Sequence, residues 1–233
     1  VAEAARRGAF DVVHAQGLCA LGYGWTRSRD PLLRRVPFIA NPHGLEEYRT
    51  PDWRKWLAYA PFRVLYSYGT RTADRAIATD ACTKDDVPRY LGVDPARVVV
   101  IPSAIDAEEC LAPVNEATRA ALRERFQLDQ ADPVLLSVSR LERNKGYHVL
   151  IEALASQRWS DVDLLLAGVG DAEQALRQQA ARLGLEGRVH FAGHRRDVPE
   201  LLGALDLFVH PARFEGMPNA VLEAMAAGCP IVA

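Results

Sequence analysis

No stretch of this chain approaches the roughly 18 uninterrupted apolar residues that a membrane-spanning helix needs. Its first residues, Val1-Ala2-Glu3-Ala4-Ala5-Arg6-Arg7, lack the apolar centre of a signal peptide, so a cytoplasmic protein is expected. Methionine is rare, Met217 and Met225 being the two, and none stands at the start. The last residues, Pro230-Ile231-Val232-Ala233, have the pattern of a buried strand with no closing turn or helix, so continuation beyond both ends is expected. Cysteine is sparse and scattered: Cys19, Cys82, Cys110 and Cys229 form no close pair and no ligand cluster, which favours reduced thiols over a disulfide frame or a zinc site. A large charge of one sign is missing too. The formal net charge of -2 argues against a nucleic-acid partner.

What charge there is lies unevenly. Residues 1–104 carry 15 Lys+Arg against 11 Asp+Glu, and the remainder 13 against 19. A basic first half suits an anionic lipid surface or an anionic acceptor, and a solvated face is the plainer account of the same residues. With 49% hydrophobic and 25% charged residues, the composition is that of a globular protein with a sizeable core.

Short apolar runs alternate with amphipathic helical stretches, the signature of parallel strands joined by crossover helices. In the first half the runs are Val12-Val13-His14-Ala15, Val36-Pro37-Phe38-Ile39-Ala40, Ala76-Ile77-Ala78 and Val98-Val99-Val100-Ile101, with one long helix expected over about 53–73. The second half runs strand–helix from Val134 to Val232. Residues 1–104 are therefore expected to form one α/β domain and 133–233 another, with 105–132 as the passage between them. The expected class is α/β with two doubly wound parallel sheets. In such sheets ligands bind outside the carboxyl ends of the strands, so the loops that follow strands carry the functional signal.

Ser139-Arg140-Leu141-Glu142-Arg143-Asn144-Lys145-Gly146 follows one strand and leads into a helix. A planar guanidinium that bridges two oxygens, and a compact ammonium five residues on, suit a diphosphate at a helix start. His210-Pro211-Ala212-Arg213-Phe214-Glu215-Gly216-Met217-Pro218-Asn219 follows another strand, with Pro218 placed to open a helix at its first position. The amides of Gly216, Met217 and Asn219 would attract phosphate oxygens, while Glu215 and Glu223 would accept hydrogen bonds from sugar and ribose hydroxyls. Gly168-Val169-Gly170 is a strand-to-helix turn without the third glycine of a dinucleotide fingerprint, and His194 with Arg195 stands where a nucleobase or plain solvent fits equally. In the first half, Asn41-Pro42-His43-Gly44 puts an imidazole just past a strand, where it can bond a sugar or phosphate. The aromatic residues Trp53, Trp56 and Tyr59 fit either peripheral membrane contact or, more commonly, a core. None of these loops holds a metal triad, an Asp-x-Asp or a Ser-His-Asp arrangement, so no metal or other cofactor is expected, and Arg140 and Lys145 are left to hold a diphosphate.

In this order, Ser137-Val138-Ser139-Arg140-Leu141 with Lys145-Gly146, Ala167-Gly168-x-Gly170, Phe191-x-Gly193 and the Glu215-x7-Glu223 pair resemble the family 4 retaining glycosyltransferases. The resemblance covers nearly the whole chain. It implies the GT-B architecture, two Rossmann-like domains facing a cleft, both incomplete here: the N-domain's glycine-rich opening loop would precede Val1, and the rest of the C-domain would follow Ala233. It further implies a metal-independent transfer of a sugar from a nucleoside diphosphate sugar to a carbohydrate or lipid-linked acceptor, in polysaccharide, lipopolysaccharide or glycolipid synthesis, with peripheral contact at the inner face of a membrane. By the same resemblance Arg140 and Lys145 hold the diphosphate, Glu215 contacts the transferred sugar, Glu223 holds the ribose, and His43 matches the family's cleft histidine. Pro102-Ser103-Ala104-Ile105-Asp106 departs from the family's Pro-Asn-Gly-Val-Asp at two positions, and Gln16 stands where many relatives carry a second histidine. A fragment of this extent is expected to be inactive alone. A GT-B sugar-nucleotide epimerase and an inactive nucleotide-sugar binding module are the other functions these residues allow.

Overall fold

The structure is a computed structural model that describes residues 1–43, 45, 48, 53–111, 114–129, 133–213 and 215–233, without the side chain of residue 55. The chain divides between Ser103 and Ala104 into two compact units.

In the first unit the order is α1 (Ala2–Arg6), β1 (Val13–Gln16), α2 (Cys19–Arg27), β2 (Phe38–Asn41), α3 (Trp53–Ala58), α4 (Ala60–Arg71), β3 (Arg75–Ala78), α5 (Ala81–Leu91) and β4 (Val98–Val100). The strands pair in parallel in the order β1-β2-β3-β4, with Val13 opposite Phe38 and Ala76 opposite Val98. Phe38 is fully buried and meets Tyr23 edge-on at 5.0 Å, in a cluster with Leu33 and Val13. Leu91, Val87 and Tyr66 form a second cluster around β3.

The long helix expected over 53–73 is instead two, α3 and α4, broken at Tyr59. Pro61 explains the break: it lacks an N–H and its ring collides with the carbonyl four residues earlier, so it is tolerated only in the first turn of α4. The aromatics do not join the core of the described unit either. Trp53 and Trp56 are 69% and 49% exposed, and Tyr59 is exposed beside them.

The second unit continues with α6 (Glu116–Arg125), β5 (Val134–Val138), α7 (Tyr147–Leu154), β6 (Asp163–Ala167), α8 (Glu173–Arg182), β7 (Val189–Gly193), α9 (Val198–Ala204), β8 (Leu207–Val209), α10 (Asn219–Ala226) and β9 (Ile231–Val232). Its sheet is parallel in the order β7-β6-β5-β8-β9. β6 is buried along its whole length and sends Leu164 and Leu166 into one cluster, Leu165 and Ala167 into another, as a strand covered on both faces must.

The stretch 105–132, read as a passage between domains, contains α6. α6 puts Leu122 into the second unit's core, and its Arg119 and Arg123 both pair with Asp206, just ahead of β8. The same carboxylate accepts the Val134 N–H at 2.8 Å. Burial would raise the Asp206 pKa, but this N–H and the two guanidiniums outweigh it and hold the carboxyl below its usual range.

Strand order decides where the ligand crevice lies. From β5 the chain steps to β6 and β7 on one side, then returns to β8 and β9 on the other. The switch between β5 and β8 leaves a gap outside their carboxyl ends, the general binding place of open α/β sheets.

Candidate active site

The loops that leave β5 and β8 border this gap, and they are laid against each other backbone to backbone. Gly146 ends the first loop with φ at +75°, and a Cβ there would stand 1.9 Å from the Pro211 carbonyl oxygen of the second. Arg213 N–H, in the second loop, donates to the Asn144 carbonyl at 3.1 Å. The turn after β6 joins them: a Cβ on Gly168 would lie 1.8 Å from the Ser139 carbonyl oxygen. Glycine at these two positions is a condition for the three loops to stack.

Stacking brings Lys145 and Glu215 together across 70 positions of sequence as an ion pair, Nζ on Oε1. Lys145 is 8% exposed at its side chain and Glu215 is 23%. A third group joins them: the His210 Nε2 stands 3.6 Å from the same Glu215 oxygen, beyond hydrogen-bond length but close in charge terms. His210 is buried, and its ring lies parallel to that of Phe208, 6.4 Å away. Burial alone would push the Glu215 pKa up. The imidazole and the ammonium outweigh burial and keep the carboxyl below the ordinary glutamate range. Below the cluster, the buried Tyr147 hydroxyl pairs with Ser139 Oγ at 2.8 Å. Its pKa is raised by burial first, against the two serine hydrogen bonds, with the Glu215 charge adding to the rise.

The other expected residues fall around this cluster. Arg140 leaves β5 exposed, paired to Glu142 at 2.5 Å. Gly216, Met217 and Pro218 lead into α10, whose cap is Pro218 itself and whose first helical residue is Asn219, one place later than expected, with no side chain capping the end. Glu223, one turn into α10, does not share the Glu215 cluster. It lines a separate cavity of about 420 Å³ with Asp106, Cys110, Arg196, Leu202 and Asn219. The Gly168 N–H donates to the Gly193 carbonyl at 2.8 Å, tying the ends of β6 and β7, and His194 follows there, exposed. Of the two glutamates read as a clamp, Glu215 belongs to the charged cluster and Glu223 to the lining of this cavity.

In the first unit His43 follows β2, exposed, with φ at +53°, its N–H donating to Asn41 Oδ1 at 3.2 Å. A non-glycine residue there carries a backbone cost of the kind that gathers at functional sites. Gly44 and Phe214 lie outside the described residues.

His210 is the member of the cluster that sequence reasoning did not assign. Its signal was position: it is the first residue past a strand at the sheet's switch point. An Asp-x-Asp does occur, as Asp161-Val162-Asp163, but it opens β6 at the amino end of the sheet, where Asp163 accepts the Asp129 N–H at 3.1 Å. Among the described residues no three His, Cys, Asp or Glu side chains gather as a metal site would require.

Two family models match the chain: Glycosyltransferase Family 4 over residues 1–109 and Glycosyl transferases group 1 over 118–233. HepE of Anabaena in complex with UDP-glucose superposes with a TM-score of 0.81 at 28% identity, over 99% of this chain and 61% of that one. The chain belongs to the GT-B glycosyltransferases. The GT-B reading of the sequence is therefore right, with one parallel sheet per unit. Among curated relatives of this glycosyltransferase chain, the lipopolysaccharide glucosyltransferase WaaG of Escherichia coli is 32% identical over 201 residues, 83% of this chain and 51% of the relative. The mannosylfructose-phosphate synthase of Agrobacterium fabrum is 33% identical over 174 residues, 70% of this chain and 38% of the relative. The chain spans about half or less of the length of these relatives. Among its described residues no helix is long and apolar enough to cross a membrane.

Proposed function

We propose that the protein carrying this chain moves a sugar from a nucleoside diphosphate sugar to an acceptor hydroxyl with retention of configuration and without a bound metal. The product belongs to a polysaccharide, lipopolysaccharide or glycolipid. The buried Lys145–Glu215 pair at the switch between β5 and β8 is the observation that carries this reading. Cleaving the donor leaves charge on a departing diphosphate, and preorganised cations in a water-poor site stabilise charge where it develops. Lys145 supplies a buried cation there and Arg140 an exposed one that reaches from the same loop. The N–H groups of Gly216, Met217 and Asn219 approach α10 without a capping side chain; Pro218 has no N–H and contributes only shape.

Glu215, kept ionised, accepts hydrogen bonds from the sugar. Glu223, with Asp106 and Asn219, offers acceptors to the ribose, and His194 and Gly168 border the base. His43 serves from the first unit. Support for a uridine donor comes from HepE, solved with UDP-glucose. A lipid-linked acceptor would place the protein at a cytoplasmic membrane face. Trp53, Trp56 and Leu57 stand exposed there, Arg63 lies 4.1 Å over the Trp56 ring, and no Asp or Glu occurs from 53 to 71.

The test is transfer from UDP-glucose by the full-length protein, with the anomeric configuration of the product read by NMR. Lys145→Met, which keeps the stem and removes the charge, is expected to lower turnover by about 10². Transfer that persists at the wild-type rate in this variant would remove Lys145 from the reaction. Activity in chelator equal to that with added magnesium is the expected result for the metal.

A further inference from the structure

Lys145 is one cation with two claims on it. In this structure it is held by Glu215; by the function proposed above, a donor diphosphate also calls on it. If it turns, the Glu215 carboxylate stays behind in a half-buried site with its ammonium partner gone, and a buried carboxylate without a donor is destabilising. Tyr147 and His210 both lie close enough to act on its charge. Tyr147, from α7, has its hydroxyl engaged by Ser139 at 2.8 Å. His210, from the end of β8, has an Nε2 that is buried without a hydrogen-bond partner, 3.6 Å from Glu215 Oε1.

An imidazole nitrogen left unpaired in the interior is destabilising, so this one is poised to gain a partner. It is also rigidly held. The His210 N–H donates to the Val232 carbonyl at 2.8 Å, which fixes the backbone to β9, and the ring stacks on that of Phe208. A closure of a few tenths of an ångström by the glutamate side chain would bring Oε1 within hydrogen-bond length of Nε2.

We propose that His210 is a positioning residue: it takes over the Glu215 carboxylate and keeps it aimed into the site when Lys145 turns to the donor's diphosphate. The proposal rests on the reading of Lys145 and Glu215 given above. His210 acts through Glu215 and touches no reacting atom. Its Nε2 must carry a proton to do so.

Lys145→Met imitates the departure of the ammonium without requiring a ligand. In the full-length protein labelled with carboxyl-13C glutamate, Glu215 is assigned by its loss in Glu215→Gln, and its titration is followed by NMR. In the Lys145→Met background, adding His210→Phe, which keeps an aromatic ring beside Phe208, is expected to move the Glu215 titration upward by about one pH unit or more. Adding His210→Gln, which offers an amide donor, is expected to move it back part of the way. A Glu215 titration that is the same in Lys145→Met and Lys145→Met/His210→Phe overturns the proposal, as does an upward move that His210→Gln leaves uncorrected.

Should the phenylalanine variant not fold, Lys145→Met alone decides. The His210 Nε2 resonance, read with 15N-histidine, is expected to shift as Glu215 titrates, and its indifference overturns the proposal. Failure of the parent reading shows separately, as an affinity for UDP that Lys145→Met leaves unchanged.

Discussion

The two units share a strand–helix architecture and differ in what stands at their strand ends. In the second, loops from two strands lock together through glycines and bury an ammonium, a carboxylate and an imidazole in one cluster. In the first, His43 stands exposed on a left-handed backbone, and the most conspicuous surface is a pair of short helices showing tryptophan to solvent. In one unit the polar groups hold one another. In the other the conspicuous groups are exposed.

The comparison breaks most directly at Gly146. Alanine in a left-handed conformation costs about 1–2 kcal/mol, and here its Cβ would also strike the Pro211 carbonyl, so Gly146→Ala is expected to lose about 3 kcal/mol or more of stability in a urea titration. A loss under about 1 kcal/mol would mean that the loops are not locked. Next in size is Asp206→Ala, which leaves the buried Arg123 without its carboxylate and unpins α6 from β5; about 2 kcal/mol is expected at pH 7, less than for a fully buried pair because Asp206 is 32% exposed. Since its folded pKa is lowered, this contribution is present above the unfolded value of about 3.9 and disappears as pH falls through the folded one. Wild type and variant are therefore expected to converge in strong acid. A gap that is independent of pH would count against the ion pairs.

Glu215→Gln follows the same sign at smaller size. Its carboxyl is also held low, so the stability it contributes, about 1 kcal/mol, is present above roughly pH 4.3 and is lost below. A variant that is more stable than wild type at pH 7 would show that the cluster stores strain for function, which sharpens the contrast with the first unit.

Strands and their parallel pairing were legible because each core strand is a short apolar run between polar turns, as Val134 to Val138 illustrates. Arg140, Lys145 and Glu215 were legible as loop residues after strands. Their pairing was not. That Lys145 reaches Glu215, and not Glu223, depends on the approach of two backbones at Gly146 and Pro211, a contact across 65 positions that leaves no local pattern. The helix break at Tyr59 was in principle readable from Pro61. The exposure of Trp53 and Trp56 was not, because periodicity gives the face of a helix and says nothing of what covers it.

That exposure yields the smallest predicted change in stability. Trp53 and Trp56 bury little against the chain, so Trp53→Ser/Trp56→Ser is expected to alter the unfolding free energy of the first unit, read from a urea titration, by no more than about 0.5 kcal/mol per site. Arg63 over the Trp56 ring accounts for most of what is lost, since such a contact is worth about 0.5 kcal/mol at the low end for an exposed site. On vesicles containing phosphatidylglycerol the same double variant is expected to lose most of the full-length protein's sedimentation, while neutral phosphatidylcholine vesicles retain neither form. Loss of stability with no loss of sedimentation would place the two rings against protein in the whole molecule, and the first unit would then resemble the second: a surface already matched to its own chain.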